Sequence, residues 1–186
     1  KLYVDYCYDP TYYMPFYFPP CYYSSSSLSI RKNCSLMAVR FSREAFSCAY
    51  ACLPASYAGR QEVRLKLHMA ATMAGMAFTQ AGLGLCHAMA HSLGGIFHVP
   101  HGRLNAILLP AVISSNAYVA GKKYAELARA AGMGGSADTI ALRNLKNGLI
   151  RLRRELNLPD TLLKAGVHPR RIWEDTPAIV EAVLAD

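Results

Sequence analysis

Gly84-Leu85-Cys86-His87-Ala88-Met89-Ala90-His91-Ser92-Leu93-Gly94-Gly95-Ile96-Phe97-His98-Val99-Pro100-His101-Gly102 carries four of the chain's six histidines. His87 and His91 are four apart, so on a helix their rings leave the same face, one turn from each other. The spacing predicts that Gly94 and Gly95 stop this helix, because glycine takes the left-handed C-terminal conformation without a Cβ clash. A short extended run follows, since Val99 precedes Pro100 and is pushed out of the helical region. His101 is thereby returned toward the first helix. Gly102 lets backbone or ligand approach closely, and Leu104 to Ala117 resume as a second apolar helix. Imidazoles converge at the bend.

Imidazole is the commonest metal-binding side chain, and two or three of them on one site suit iron(II), zinc, copper or nickel. A single histidine on an apolar helix face is ordinarily a hydrogen-bonded core residue. Four in one stretch punctuated by glycine and proline favour a shared site. Geometry alone pairs His87 with His91. No Asp or Glu occurs from Val63 to Ala125, although histidine-built iron(II) and catalytic zinc sites usually include a carboxylate. The remaining ligands then come from elsewhere in the chain or are missing from it. Gly82-Leu83-Gly84 has His87 where a third glycine would fall, so it fails as a dinucleotide-binding fingerprint.

The flanking sequence reads as a helical scaffold. Met37 to Leu53 forms a helix ended at Pro54, Ala55 to Arg60 a loop, and Glu62 opens a longer helix. Along that helix Val63, Leu67, Ala70, Ala74, Ala77 and Phe78 recur at helical spacing, and the helix is expected to start at the surface and end inside. His68, among basic neighbours, is placed on the surface with no role. Beyond Pro110 the pattern runs to about Asn116, and Lys122 to Ala131 makes a separate amphipathic helix. Ser136 caps the next helix, whose seam is Leu142, Leu145, Leu149, Leu152 and Leu156, with Arg143, Lys146, Arg151, Arg153 and Arg154 off it. Asp160 starts a further helical turn. His168 before Pro169 opens the last helix, which docks through Ile172, Trp173, Ile179, Val180, Val183 and Leu184. No strand pattern persists, so the fold class is all-α, a helical bundle.

Residues 1–36 differ in composition. Eight of the first 23 residues are tyrosine, with four prolines among them and a run of four serines after. They read as an aromatic-rich arm, and residues 37–186 as one helical domain. The arm is no convincing signal peptide, and no segment is expected to reach the length of a membrane span. Cys48, Cys52 and Cys86 fit buried thiols in a reducing cytoplasm; Cys7, Cys21 and Cys34 are the candidates for an oxidising alternative. A net charge of +8 admits an acidic partner, but the basic residues are scattered over several helices. That scatter disfavours nucleic acid.

The motif G-L-C-H-A-M-A-H-x-L-G-G-x-F-H-x-P-H-G-x-x-N-A-x-L-L-P, with Ala70-Ala71-Thr72-Met73-Ala74-Gly75-Met76-Ala77-Phe78 before it, resembles the C-terminal helical domain of iron-containing (group III) alcohol dehydrogenases. The flavour is that of the ethanol, propanol and lactaldehyde-reducing members, and the resemblance covers about residues 45–186. In that family the first histidine of H-x-x-x-H and the histidine of P-H-G ligate the metal. The resemblance therefore implies His87 and His101 as ligands of Fe(2+), with Zn(2+) the alternative. It implies that His91, beside metal and substrate, orients substrate or relays a proton. It also implies NAD as cofactor of the complete enzyme, a short primary alcohol or aldehyde as substrate, and room for a homo-oligomer. Phe78 and Phe97 are apolar wall candidates. The family's N-terminal Rossmann-like domain and its D-x-x-x-H helix have no counterpart here. Half a catalytic site is expected, inactive without the absent domain. The rival readings are a non-catalytic helical metal-binding or interaction module and a basic nucleic-acid-binding domain.

Overall fold

The computed structural model describes residues 35–186, and expectations for the preceding arm lie outside them. Six α-helices follow in order: α1 (Leu36–Tyr57), α2 (Arg64–Ala81), α3 (Leu85–Phe97), α4 (His101–Ala130), α5 (Asp138–Glu155) and α6 (Pro169–Ala185), with a 3₁₀ turn at Gln61–Val63. No strand occurs among the described residues. The all-α expectation holds.

α1 begins at Ser35, whose side chain accepts from the Ala38 amide at 3.2 Å, and whose hydroxyl also bonds Gln80 at the far end of α2. Ala45 and Ala49 of α1 share an apolar cluster with Ala70 and Ala74 of α2. Two helices so lined approach closely. Arg43 of α1 pairs with Glu126 of α4. The leucine seam of α5 is buried at Leu145, Leu149, Leu152 and Leu156, as its spacing predicts.

α4 organises the rest. It contributes to all three apolar clusters: Leu104 to the one shared with α3 and α6, Ala106 to the one between α1, α2 and the end of α5, and Leu109 to Ala128 to the largest. The expected break between two helices after Asn116 is absent, and the helix runs unbroken for 30 residues through Pro110. By length and composition it is apolar enough to cross a membrane, which corrects the expectation that no segment is. Thirteen of its residues are buried in the bundle, as befits a core helix.

Pro110 exposes a local cost and its remedy. Proline has no N–H, so the carbonyl four residues back loses its helical donor. That carbonyl belongs to Ala106, and Arg153 of α5 donates Nη1 to it at 3.3 Å. Arg153 is buried accordingly, not on the solvent side of its helix as the pattern predicted.

Other boundaries moved. α1 continues past Pro54 to Tyr57, because a proline in the last turn forfeits a single hydrogen bond. Ser136 does not cap α5; Ala137 occupies that position without a side-chain bond, and Asp138 supplies first-turn negative charge instead. Residues 160–166 form turns and no regular helix. α6 starts where expected, with His168 Nδ1 accepting from the Arg170 amide at 3.2 Å. Only Ile172 and Ile179 of its apolar residues join a core cluster, while Trp173, Val180 and Leu184 are exposed. α2 does not turn inward either, since Met69 and Met76 remain exposed.

Candidate metal centre

The bend between α3 and α4 is built by three backbone decisions. Gly94 and Gly95 stay helical, contrary to the predicted stop, and α3 ends at His98, which takes the left-handed conformation at φ 56°. The His98 amide closes the helix on the Gly94 carbonyl at 2.9 Å. A Cβ at Gly94 would meet Leu104 Cδ1 and the Val99 carbonyl at 3.5 Å, ordinary contact that does not itself demand glycine. Val99 and Pro100 then run extended, and Pro100 (ψ 131°) opens α4 at His101. His101 faces back across the bend.

Three imidazoles meet there. Ring centroids of His87 and His101 are 5.3 Å apart and tilted by 49°. His91 lies 4.8 Å from His101, stacked at 22°, and 6.2 Å from His87, edge to face. A cation about 2.1 Å from two imidazole nitrogens, in tetrahedral geometry, sets the ring centroids roughly 5.2 Å apart. The His87–His101 pair fits that separation better than His87 with His91. His98 is exposed on the bend and outside the cluster.

Burial differs across the trio. His87 is 6% exposed. His101 is half-buried, and desolvation, followed by the neighbouring His91, holds its imidazole below the ordinary histidine range. A neutral ring offers its lone pair to a cation, so the shift favours ligation over protonation. Asn105, buried one turn into α4, donates to the His101 carbonyl at 3.0 Å and steadies that first turn. Ser92 donates to the Ile179 carbonyl at 3.2 Å, fastening α6 beside the cluster.

One site residue escaped the sequence reading. The Asp186 carboxylate lies 2.9 Å from His91 Nδ1. A carboxylate only accepts, so Nδ1–H donates and the neutral ring keeps its lone pair on Nε2. Ninety-five residues separate the pair, and no periodicity reports such a contact. Asp186 thus puts a carboxylate beside the cluster, on His91 and not on the His87–His101 pair. Among the described residues, no group of three His, Cys, Asp or Glu side chains is arranged to hold a metal.

Phe97 is partly buried near the bend, with the Arg171 guanidinium 5.4 Å from its ring centroid, while Phe78 ends α2 without joining a core cluster. His68 is exposed, as expected. A cavity of about 370 Å³ opens elsewhere, between Tyr50 of α1, the Ala131–Met133 turn and Asn144, Asn147, Gly148 and Arg151 of α5. None of the histidines lines it.

Six helices among the described residues, with imidazoles gathered at one helix-to-helix bend, define an all-helical class whose members can be compared directly. Residues 22–186 match the family model described as "Fe-containing alcohol dehydrogenase family, C-terminal". The chain belongs to the iron-containing alcohol dehydrogenase family. It is 46% identical over 127 residues to a 1-propanol dehydrogenase of Salmonella typhimurium, covering 66% of this chain and 34% of that protein. It is 37% identical over 131 residues to an NADPH-dependent butanol dehydrogenase of Clostridium saccharobutylicum, covering 70% and 34%. The solved structure of an iron-containing alcohol dehydrogenase from Thermococcus thioreducens superposes with a TM-score of 0.75 at 31% identity, over 94% of this chain and 42% of that one. The chain spans about a third of the length of the curated relatives it matches.

Proposed function

We propose that this chain is the C-terminal, metal-binding part of an alcohol dehydrogenase that interconverts short primary alcohols and aldehydes with a nicotinamide cofactor. The observation that carries the reading is the 5.3 Å approach of the His87 and His101 rings across the α3–α4 bend. Relatives named for propanol and butanol supply the substrate class, and the one named as NADPH-dependent leaves the phosphate of the nucleotide open.

In this reading His87 and His101 hold Fe(2+), or Zn(2+) in its place. The bound cation would supply Lewis acidity, polarising a carbonyl oxygen or stabilising an alkoxide. The chain's own residues do the rest. His91, with Nδ1–H held by Asp186, takes or returns a proton at Nε2 or orients the substrate oxygen. Burial of His87 excludes water from one side of the site, and Phe97 is an apolar wall. The other metal donors and the nucleotide cradle are assigned to a further domain, so the chain alone is read as metal-binding and without turnover. A reducing, cytoplasmic setting belongs to this reading.

The test is metal content and turnover together. Purified chain loaded anaerobically with Fe(2+) or Zn(2+) should retain it after desalting, should lose it in His87→Ala and His101→Ala, and should not oxidise NADH or NADPH with propanal. Metal retention unchanged by both substitutions would sink the assignment. Turnover by the chain alone would overturn the division of labour.

A further inference from the structure

The cavity of about 370 Å³ takes its walls from three elements: Tyr50 of α1, the Ala131–Met133 turn after α4, and one face of α5. Asn144, Asn147, Gly148 and Arg151 follow at helical spacing, so that single face offers two carboxamides, a guanidinium and a gap where a side chain would be. Gly148 is buried, and a Cβ there would lie 3.0 Å from Tyr50 Oη and 3.3 Å from both Sδ and Cε of Met133. Its bare backbone lets those two side chains close in. Arg151 Nη2 donates to Tyr50 Oη at 3.0 Å, and Asn144 Nδ2 donates to the Met133 carbonyl at 3.0 Å. The Tyr50 ring is itself held against Phe46, with centroids 6.2 Å apart and planes 23° from parallel.

These polar groups are positioned but not used up. A guanidinium carries five N–H donors, and Tyr50 takes one of them. The others meet no acceptor among the described residues, and the Asn147 carboxamide makes no hydrogen bond there either. Arg151 joins none of the ion pairs among those residues; Glu155, one turn further along α5, acts on it only through space. We propose that this cavity binds a small organic carboxylate, its two oxygens on the Arg151 fork and its apolar body against Met133 and Ala131. The planar fork matches a carboxylate in shape as well as charge, and the thioether and methyl give a carbon skeleton a surface that a bare inorganic ion cannot use. Asn147 can donate to, or accept from, a second polar group on the ligand. The space equals roughly a dozen water molecules, enough for an acid of about ten non-hydrogen atoms. The site is independent of the dehydrogenase reading, because no histidine lines it.

The experiment titrates the full chain with benzoate and follows backbone amide chemical shifts. Saturable shifts at Met133, Asn147 and Gly148 are expected, half-complete at about 1 mM. Shifts centred on other residues, or rising linearly without saturation, would overturn the proposal. Arg151→Met should weaken binding about tenfold or more, and Arg151→Lys, which keeps the charge and loses the fork, by less. Arg143→Met removes an exposed charge from the same helix outside the cavity and should leave binding unchanged; circular dichroism checks that each variant folds. Benzamide, of the same shape without the charge, and inorganic phosphate, charged without the apolar body, should each bind about tenfold more weakly than benzoate. Equal affinity for benzoate in Arg151→Met and its parent would overturn the assignment, as would either comparison compound binding as tightly as benzoate.

Discussion

His91 stacks on His101 with centroids 4.8 Å apart and ring planes 22° from parallel. Nitrogen lone pairs lie in the plane of the ring, so two stacked imidazoles cannot both aim one at an ion between them. His87 is tilted 49° to His101, an arrangement free of that restriction. In the proposed reading the stack leaves His91 beside the cation and not among its ligands. Zinc binding by the chain, followed by equilibrium dialysis, should therefore fall about tenfold or more in His87→Ala and in His101→Ala. His91→Phe, which keeps a flat ring on His101, should change it by less than about threefold. An equal loss in all three would make His91 a ligand.

Arg153 and Pro110 act as a pair. Removing the guanidinium in Arg153→Met strands the Ala106 carbonyl inside the bundle, a loss of about 1 to 3 kcal/mol. Arg154→Ala, on the exposed side of the same helix, should cost within about 0.5 kcal/mol. In a Pro110→Ala background the helix donates to Ala106 itself, and Arg153→Met should then cost less. Urea unfolding of the four members of this cycle measures the coupling. Additive losses would show that the guanidinium does not replace the missing amide.

Gly135 sits at φ 108°, and a Cβ there would fall 2.5 Å from the Ala141 amide nitrogen. Backbone cannot give way as a side chain can. Gly135→Ala should cost about 3 kcal/mol or more, combining strain with overlap. Gly132, at φ 74° with nothing within 4 Å, isolates the conformational part, and its alanine variant should cost about 1 kcal/mol. Comparable losses would mean that the turn before α5 relaxes freely.

Tyr124, wholly buried in the largest cluster, titrates late. Burial is the main cause, opposed by the nearby Asn116 side chain, with Cys86 a lesser contributor; together they push the phenol up from 10.0 to about 12. The unfolded chain then gives up this proton before the folded one does. Stability from this group is complete below pH 10 and is lost as pH rises from 10 to 12, by about 2 kcal/mol. Stability measured across that range should decline less steeply in Tyr124→Phe than in the parent. Parallel curves would remove Tyr124 from the alkaline transition.

Much of this was readable before any coordinates. The period of Leu67, Ala70, Ala74 and Ala77, and of Leu145, Leu149, Leu152 and Leu156, marks buried faces because a helix repeats every 3.6 residues and a core selects one side. The return of His101 toward His87 was visible in Val99-Pro100. Failures came where tertiary contact outweighed local preference. Two glycines in α3 cost roughly 1 kcal/mol each and were kept helical, with Gly94 packed near Leu104. Pro54 was read as a break and the long helix was split after Asn116, and nothing nearby in sequence announces that Arg153, 43 residues beyond Pro110, satisfies the carbonyl that this proline orphans. Asp186 was invisible as a partner of His91 for the same reason. Trp173 and Leu184 have the right spacing for a docked face and stay exposed, since periodicity shows which side is apolar and not whether anything covers it.

α4 has one more consequence. A single rod that threads three separate apolar nuclei ties them into one cooperative unit, while α6, which buries none of its residues, is the described helix expected to fray first. Slowly exchanging amides from Leu104 to Ala128 should share one opening energy, equal to that of the whole domain.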